Sequence, residues 1–290
     1  MSALKQKAML VTLNTSTWTA RKHDRKISQE VATNHDAADF TKVGRYNKLL
    51  IDKSKLEAVQ KAATAARLHH LANTMPWENN GSRLLPVMNY QAYTTEQRKL
   101  QEAFSDAADV FALHYPEYVE ESRARLNGLF NADDYPAAGA IRWKFRMETS
   151  MMPMPDAQDF RVDLNDAEVK RIQDDIGRTV QKRLQTASDD LWQRLYDAVL
   201  HIHERLSAFK DGESKRLHAT IITNLTELTG LLTHLNFTDD PNLEKMRQKI
   251  EFKLCRYDIE ALRHSESARV ESATATADIL KQMSAYMGDA

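Results

Sequence analysis

The sequence contains few of the residues that interrupt helices and almost none that could cross-link the chain. Its 290 residues include 8 glycines and 7 prolines, and this scarcity favours long helices over a fold of strands and turns. The single cysteine, Cys255, excludes an internal disulfide bond and fits a reducing cytosol.

Long apolar runs are also absent. No stretch approaches the roughly 20 apolar residues that a helix needs to cross a bilayer. The apolar run at residues 8–13 is shorter than the core of a secretory signal, and no small-residue cleavage pattern follows it. We therefore expect a cytoplasmic protein, located in the host cytoplasm if a phage encodes it, with no membrane partner.

Motifs of the common enzyme classes are absent as well. The chain has no phosphate-binding GxxxxGK(S/T) or GxGxxG loop, no GxSxG elbow, and no HExxH or CxxC motif. His201 and His203 would point in different directions on a helix, as would His69 and His70, so neither pair can share a zinc ion. The sequence predicts no catalytic residue, no metal site and no cofactor. An unrecognised hydrolase or nuclease, assembled from distant acids or histidines, stays open as a minor alternative.

The C-terminal half carries the clearest periodicity. Asn165, with Glu168 three residues later, has the pattern of a helix cap, and apolar residues then recur every three or four positions to Phe209. A second helix is expected over residues 214–236. A third is expected to start at Pro241 behind the acidic cap of residues 239–240 and to weaken over residues 265–276. These patterns predict an antiparallel bundle or stalk of three long helices over residues 165–290.

The N-terminal half, residues 1–164, has a mixed α and β pattern. We expect a strand at residues 9–14 and a helix over 54–74 opened by a capping box at Ser54. Residues 81–93 are expected to be irregular or extended, and Pro86 would restrict them to a sheet edge. Helices are predicted over residues 94–114 and 116–128. The protein is therefore expected to be mainly α with a small β element, in two regions that could also form one continuous domain.

The stretch IRWKFRM at residues 141–147 alternates apolar and cationic side chains, as a half-buried strand does. We expect a strand from about Arg142 or Phe145, paired as a β-hairpin with residues 159–164 across the turn at 153–158. The alternative is a short helix from Pro136 through Ile141 and Phe145, in which Trp143 would point away from the apolar stripe.

Basic residues are concentrated towards the N-terminus. Residues 1–61 contain 12 Lys and Arg against 6 Asp and Glu, whereas the rest of the chain contains 28 against 35. Such an imbalance indicates a nucleic-acid surface, an acidic partner or a merely solvated face. Two stretches form the candidate nucleic-acid site, which requires that they converge in space: Arg21, Lys22, Arg25 and Lys26, and Arg142, Lys144 and Arg146. Because Trp143 and Phe145 would lie opposite the strand's charges, we favour a structural role for the second stretch.

Several short motifs occur in a recognisable order. Residues 13–18 precede the basic RKHD segment at 21–24, followed by TMPW at 74–77, RLLP at 83–86, DYP at 134–136, PMP at 153–155 and DFRV at 159–162. Over most of the first 210 residues, this order resembles a family of phages, prophages and integrative elements named only as domain of unknown function number 3150. The resemblance implies a mobile-element setting near a MoxR-type AAA ATPase and a protein with a von Willebrand A domain. The family supplies no established catalytic residues to transfer to this chain.

Two functions follow as hypotheses. The first is a non-enzymatic interaction or scaffold protein that serves as an accessory subunit of that ATPase module, with a homo-oligomer formed through the long helices. The alternative is a nucleic-acid-binding protein of phage or element DNA processing, whose binding would weaken steeply with salt.

Overall fold

The computed structural model describes residues 6–37, 39–78, 81–157, 165–209 and 217–288. Over these ranges the protein is mainly α-helical with small antiparallel β elements, as the sequence predicts. Within the same ranges, no helix combines the length and apolar character that crossing a membrane would require.

The helices have the following bounds: α1 Arg25–Asn34, α2 Phe40–Val43, α3 Lys53–Asn73, α4 Tyr90–Leu126, α5 Ala138–Ile141, α6 Asp166–Ser207, α7 Thr220–Leu235, α8 Pro241–Leu254, α9 Ile259–His264 and α10 Glu266–Gly288. The strands are β1 Ala8–Ser16, β2 Arg21–His23, β3 Asn47–Leu49, β4 Met75–Pro76, β5 Ser82–Pro86 and β6 Arg146–Met152. A two-stranded ribbon pairs β2 with β3, and a four-stranded sheet has the order β4-β5-β1-β6.

The sheet confirms the predicted first strand and corrects one expectation. β5 lies between β4 and β1, so it is not an edge strand. Pro86 is tolerated because it occupies the last position of β5, opposite Ala8. β6 neighbours β1, whereas residues 159–164, its predicted hairpin partner, lie outside the described residues.

Helix α4 runs through a position where the sequence predicts a break. Its 37 residues include Pro116, so the expected helices at 94–114 and 116–128 are one helix. A proline inside a helix removes one backbone hydrogen bond and is unfavourable by itself. Phe111 and Tyr115 are buried immediately before it, and we infer that their packing offsets this loss. Helix α3 is also confirmed, although Asp52 rather than Ser54 caps it by accepting from the Ser54 N–H at 2.9 Å.

The chain packs into two compact units that interleave along the sequence. Unit 1 comprises Met1–Thr12, His70–Thr94 and Ser150–Ala290, and unit 2 comprises Leu13–His69 and Thr95–Thr149. This grouping differs from a division after residue 164, because two N-terminal segments pack with the C-terminal helices. The division into folding domains at residue 164 stays a prediction.

In unit 1, four helices surround one hydrophobic core. α6 packs against α7 and α10, and α8 also packs against α7 and α10. Asn165 caps α6 by accepting from Glu168 N–H at 2.9 Å, as predicted, and Asp240 caps α8. The expected third helix is divided into α8, α9 and α10, because Asp258 and Ser265 each accept from a backbone N–H three residues later. α7 begins at Thr220, and of the positions expected before it, residues 214–216 lie outside the described residues.

In unit 2, aromatic rings of α4 pack against residues from the surrounding segments. Phe111 lies 5.3 Å from Phe145 and 6.3 Å from Trp18, measured between ring centroids, and both pairs have edge-to-face geometry. The core of this unit consists of the buried residues Ala20, Leu50, Ile51, Leu56, Val59, Ala63, Phe104, Ala108, Phe111, Tyr115, Ile141 and Phe145. This core positions both basic stretches that the sequence singles out.

Candidate interaction surface

The IRWKFRM stretch forms a helical turn before it becomes a strand. α5 ends at Ile141, a 3-10 turn covers Arg142–Lys144, and β6 begins at Arg146. Of the two predicted starts of the strand, Phe145 agrees with the structure to within one residue and Arg142 is wrong. The short-helix alternative describes residues 138–144. Ile141 and Phe145 are four residues apart and both enter the core of unit 2. Trp143, between them, is 77% exposed.

The guanidinium group of Arg142 fastens this turn to α4. It forms an ion pair with Asp109, donates to Ser105 Oγ at 2.8 Å, and donates to the Phe145 carbonyl at 3.0 Å. The hydrogen bond from Arg142 holds the pKa of Asp109 below its ordinary value. Arg142 is therefore a positioning residue for the turn that carries Trp143.

Two exposed apolar side chains lie on the same segment of α4. Leu113 follows Asp109 by four residues and so occupies the same helix face, and Val110 lies three residues before Leu113. Their exposed fractions are 75% for Leu113 and 57% for Val110. We call Val110, Leu113 and Trp143 the Trp143 patch. Single exposed apolar residues are common, but grouped ones mark interaction surfaces more often.

The first basic stretch lies beside a groove of about 440 Å³ in unit 2. Lys22, Arg25 and Lys26 line this groove, whereas Arg21 lies on β2 opposite Leu49. Lys22 pairs across the ribbon with Lys48, so both side chains lie on the same face. In all, the lining residues include four Lys or Arg and three Asp or Glu.

A buried ammonium group lies at this groove. Lys48 is only 4% exposed, and its Nζ donates to Leu129 O at 2.9 Å and pairs with Asp134 Oδ2 at 2.7 Å and Asp24 Oδ2 at 3.3 Å. Burial lowers the pKa of Lys48, but the hydrogen bonds and charges of Asp134 and Asp24 outweigh this effect and raise it overall. We call Asp24, Lys48 and Asp134 the Lys48 cluster.

Sequence reasoning misses the Lys48 cluster. Acidic side chains at turns commonly cap backbone groups or stay solvated, yet Asp134 is largely buried against Lys48. Lys48 is separated from Asp24 by 24 residues and from Leu129 by 81. No local pattern signals a contact over such distances.

The second basic stretch is largely compensated within the protein. Arg142 pairs with Asp109, and Arg146 pairs with Glu148 at 2.8 Å. Lys144 is exposed, and its side chain contacts no carboxylate among the described residues. These three cations therefore do not form one continuous cationic face.

The structure does not bring the two basic stretches together. Arg142 contacts α4 at Asp109, whereas Gly128 and Leu129 of the groove come just after α4 ends at Leu126. At 1.5 Å of rise per residue, the part of α4 between Asp109 and Leu126 spans about 25 Å. Convergence of all seven residues on one ligand group, which the nucleic-acid hypothesis requires, is not observed.

The carboxylates at one cavity of unit 1 have structural partners. A cavity of about 580 Å³ is lined in part by Asp189, Asp190 and Asp240. Asp240 caps α8 and accepts from Trp192 Nε1 at 3.0 Å, Asp190 pairs with Arg194, and Asp189 accepts from Gln185. These carboxylates therefore stabilise the helices that carry them.

The described part of the chain offers little evidence for a metal site or a reactive thiol. No group of three His, Cys, Asp or Glu side chains lies close enough there to hold a metal ion. Cys255 follows the last residue of α8 rather than lying inside a helix. Burial raises the pKa of its thiol, which disfavours the reactive thiolate.

Comparisons with protein-family models, curated proteins and solved structures found no match for this chain. The resemblance to the phage and mobile-element family therefore stays a prediction.

Proposed function

We propose that this protein is a non-enzymatic interaction subunit that docks a protein partner on the Trp143 patch. The observation that carries this proposal is the exposure of Trp143, Leu113 and Val110, which lie close in the chain to the two partners of the Arg142–Asp109 ion pair. Tryptophan and arginine are enriched among the residues that contribute most to binding at protein interfaces. In keeping with the resemblance, the partner we expect is a MoxR-type ring ATPase or its von Willebrand A companion.

The anchoring of the turn supports a docking role. Arg142 makes three side-chain contacts that hold the segment before Phe145, and Phe145 itself is packed against Phe111. The backbone that carries Trp143 is thereby constrained, so this segment would lose little conformational freedom when a partner binds. An apolar pocket on the partner is the complementary feature.

The test is the affinity for that ATPase and for the von Willebrand A protein from the same element, measured by calorimetry with Trp143→Ala. We expect a loss of about 2 kcal/mol or more, about 30-fold in affinity, because a buried anchor is removed. Phe252→Ala, at a side chain of unit 1 that is 70% exposed, is the matched control and should bind as the parent does. No complex with either protein, or equal binding by Trp143→Ala, would contradict the proposal.

Oligomerisation through the long helices is part of the same proposal. Light scattering after size exclusion gives the molar mass directly, and 33.2 kDa is the mass of one chain. A mass of one chain at micromolar concentration would restrict the proposal to a monomeric subunit.

Nucleic-acid binding is the second candidate, favoured by one observation. Within the described residues, Arg21, Lys22, Arg25 and Lys26 contact no carboxylate, whereas Arg142 and Arg146 each do. This candidate is therefore confined to the first basic stretch. A salt series with duplex DNA tests it.

A further inference from the structure

The groove beside α1 holds more cationic charge than its own carboxylates can neutralise. Asp24 and Asp134 are engaged with Lys48. Glu30 is the other acid among the described lining residues, and it faces three lining cations, Lys22, Arg25 and Lys26, that make no ion pair in the described chain. The groove thus presents an excess of positive charge around a volume of about 440 Å³.

The positions of these cations place them near other positive charge. Arg25 and Lys26 occupy the first turn of α1, which contains no acidic residue. The N-terminal end of a helix is electropositive, so acidic side chains stabilise it and basic ones do not. Lys22 in turn lies directly across the ribbon from Lys48, an arrangement of like charges that is unfavourable in an isolated pair of strands. Because Asp24 and Asp134 already balance the charge of Lys48, an anion in the groove would interact chiefly with Lys22, Arg25 and Lys26.

The aromatic residue at the groove indicates which anion chemistry fits. Phe130 stacks on Tyr135 with ring centroids 5.1 Å apart, and the guanidinium group of Arg123 lies over the Phe130 ring at 4.2 Å. Phe130 is thus already engaged by the protein's own Tyr135 and Arg123. Recognition is then by charge, and not by the base stacking typical of single-strand binders.

We propose that this groove binds phosphate groups through Lys22, Arg25 and Lys26, with the Lys48 cluster as its rigid support. The site is confined to unit 2 and does not involve Arg142, Lys144 or Arg146. It goes beyond the proposed interaction role and does not depend on it. Two sources share this chemistry, the backbone of double-stranded nucleic acid and a free polyphosphate, and the experiment separates them.

The experiment measures binding of the full-length protein to a fluorescent 20-base-pair duplex across a salt series, with tripolyphosphate as a second ligand followed by calorimetry. The test variant is Lys22→Gln/Arg25→Gln/Lys26→Gln. We expect it to bind at least about tenfold more weakly at low salt, and the slope of log K against log salt to fall by about three if each cation meets one backbone phosphate. Lys144→Gln removes an exposed cation elsewhere in unit 2 and should bind as the parent does.

Lys26→Glu separates a binding role from a structural one. An acid in the first turn of α1 should leave the melting temperature unchanged or raise it, while it weakens binding more than Lys26→Gln does. A purely structural lysine would not give these opposite effects.

Each outcome decides the proposal. Duplex binding that the triple variant loses assigns the site to a nucleic-acid backbone, and binding of tripolyphosphate alone assigns it to a free phosphate compound. The proposal is overturned if neither ligand binds, or if the triple variant binds as tightly as Lys144→Gln. These measurements use no protein partner, so they leave the proposed docking role to its own test.

Discussion

The two basic stretches of this protein have similar compositions but different environments. Three of the four cations in residues 21–26 line a groove, and none of the four forms an ion pair in the described chain. The Lys48 cluster lies against the same groove. In residues 142–146, both arginines form ion pairs with the protein's own acids. The number of cations is therefore a poor guide to ligand binding. What separates the two stretches is whether folding brings a carboxylate within reach.

The first stretch also shows how burial changes the role of a lysine. Lys22 and Lys48 are opposite each other in the ribbon, yet Lys48 is buried with two acids and Lys22 is exposed. A buried charge is stable only with close partners, because it has lost its hydration. Removal of Lys48 alone would leave the carboxylates of Asp24 and Asp134 without their cation, whereas Lys22 makes no ion pair in the described chain.

Among these substitutions, removal of the buried ammonium group of Lys48 should lower the free energy of unfolding most. In Lys48→Met, Asp24 and Asp134 lose the cation between them, and we expect the free energy of unfolding to fall by about 3–5 kcal/mol. Urea denaturation measures this. Lys144→Met, at an exposed lysine, is the control and should change stability by less than about 0.5 kcal/mol. A fall below about 1 kcal/mol for Lys48→Met would show that the cluster is dispensable.

The pH dependence of stability in the parent and in Lys48→Met makes this prediction more specific. Burial raises the pKa of Asp24, but hydrogen bonds from the Ile27 N–H and from Lys48 outweigh it, so the pKa lies below the ordinary value of 3.8. A lowered pKa contributes stability above the unfolded-state value and loses it as the pH falls through the folded-state value. The stability difference between the parent and Lys48→Met should therefore be constant from about pH 8 to 5 and shrink below about pH 4. A difference that persists unchanged at about pH 2 would contradict this.

At the second stretch, Arg142→Ala should have an intermediate effect. Its contacts with Asp109, Ser105 and the Phe145 carbonyl are partly exposed, so we expect a loss of about 1–2 kcal/mol. Arg146→Ala, whose ion pair with Glu148 is exposed, should change stability by less than about 0.5 kcal/mol. Thermal or urea unfolding distinguishes the two variants. Equal effects would mean that Arg142 does not anchor the turn.

Lys26→Glu should have the smallest effect on the free energy of unfolding, and this effect should be an increase. Lys26→Glu replaces an unfavourable charge in the first turn of α1 and should stabilise the protein by about 0.3–1 kcal/mol at low salt. The gain should fade as salt is added, since the helix dipole is screened. A clear loss of stability would indicate an intramolecular role for Lys26.

Local features of the fold are predictable from the sequence. The caps at Asn165 and Asp240 depend on hydrogen bonds to backbone groups within three residues, and the structure contains both. The long apolar periodicity predicts α6 for the same reason, because one turn of helix already determines which side chains share a face. The helical character of the C-terminal half therefore follows from interactions between near neighbours in the chain.

Prediction fails where distant residues override a local preference. Pro116 signals the start of a helix, but α4 continues through it with Phe111 and Tyr115 packed in the core. The alternation in residues 141–147 signals a strand, but Ile141 and Phe145 enter the same core from a helical turn. In both places several ring and side-chain contacts outweigh a weak backbone preference.

The sequence by itself determined the class of fold, the positions of most helices and the excess of positive charge near the N-terminus. These properties depend on composition, periodicity and hydrogen bonds between near neighbours. Only the tertiary structure decided that Lys48 is buried between Asp24 and Asp134, that Arg142 is bound to Asp109, and that Trp143 is exposed. The physical reason is that desolvation and ion pairing depend on which residues become neighbours in space, and those neighbours lie tens of residues apart in the chain.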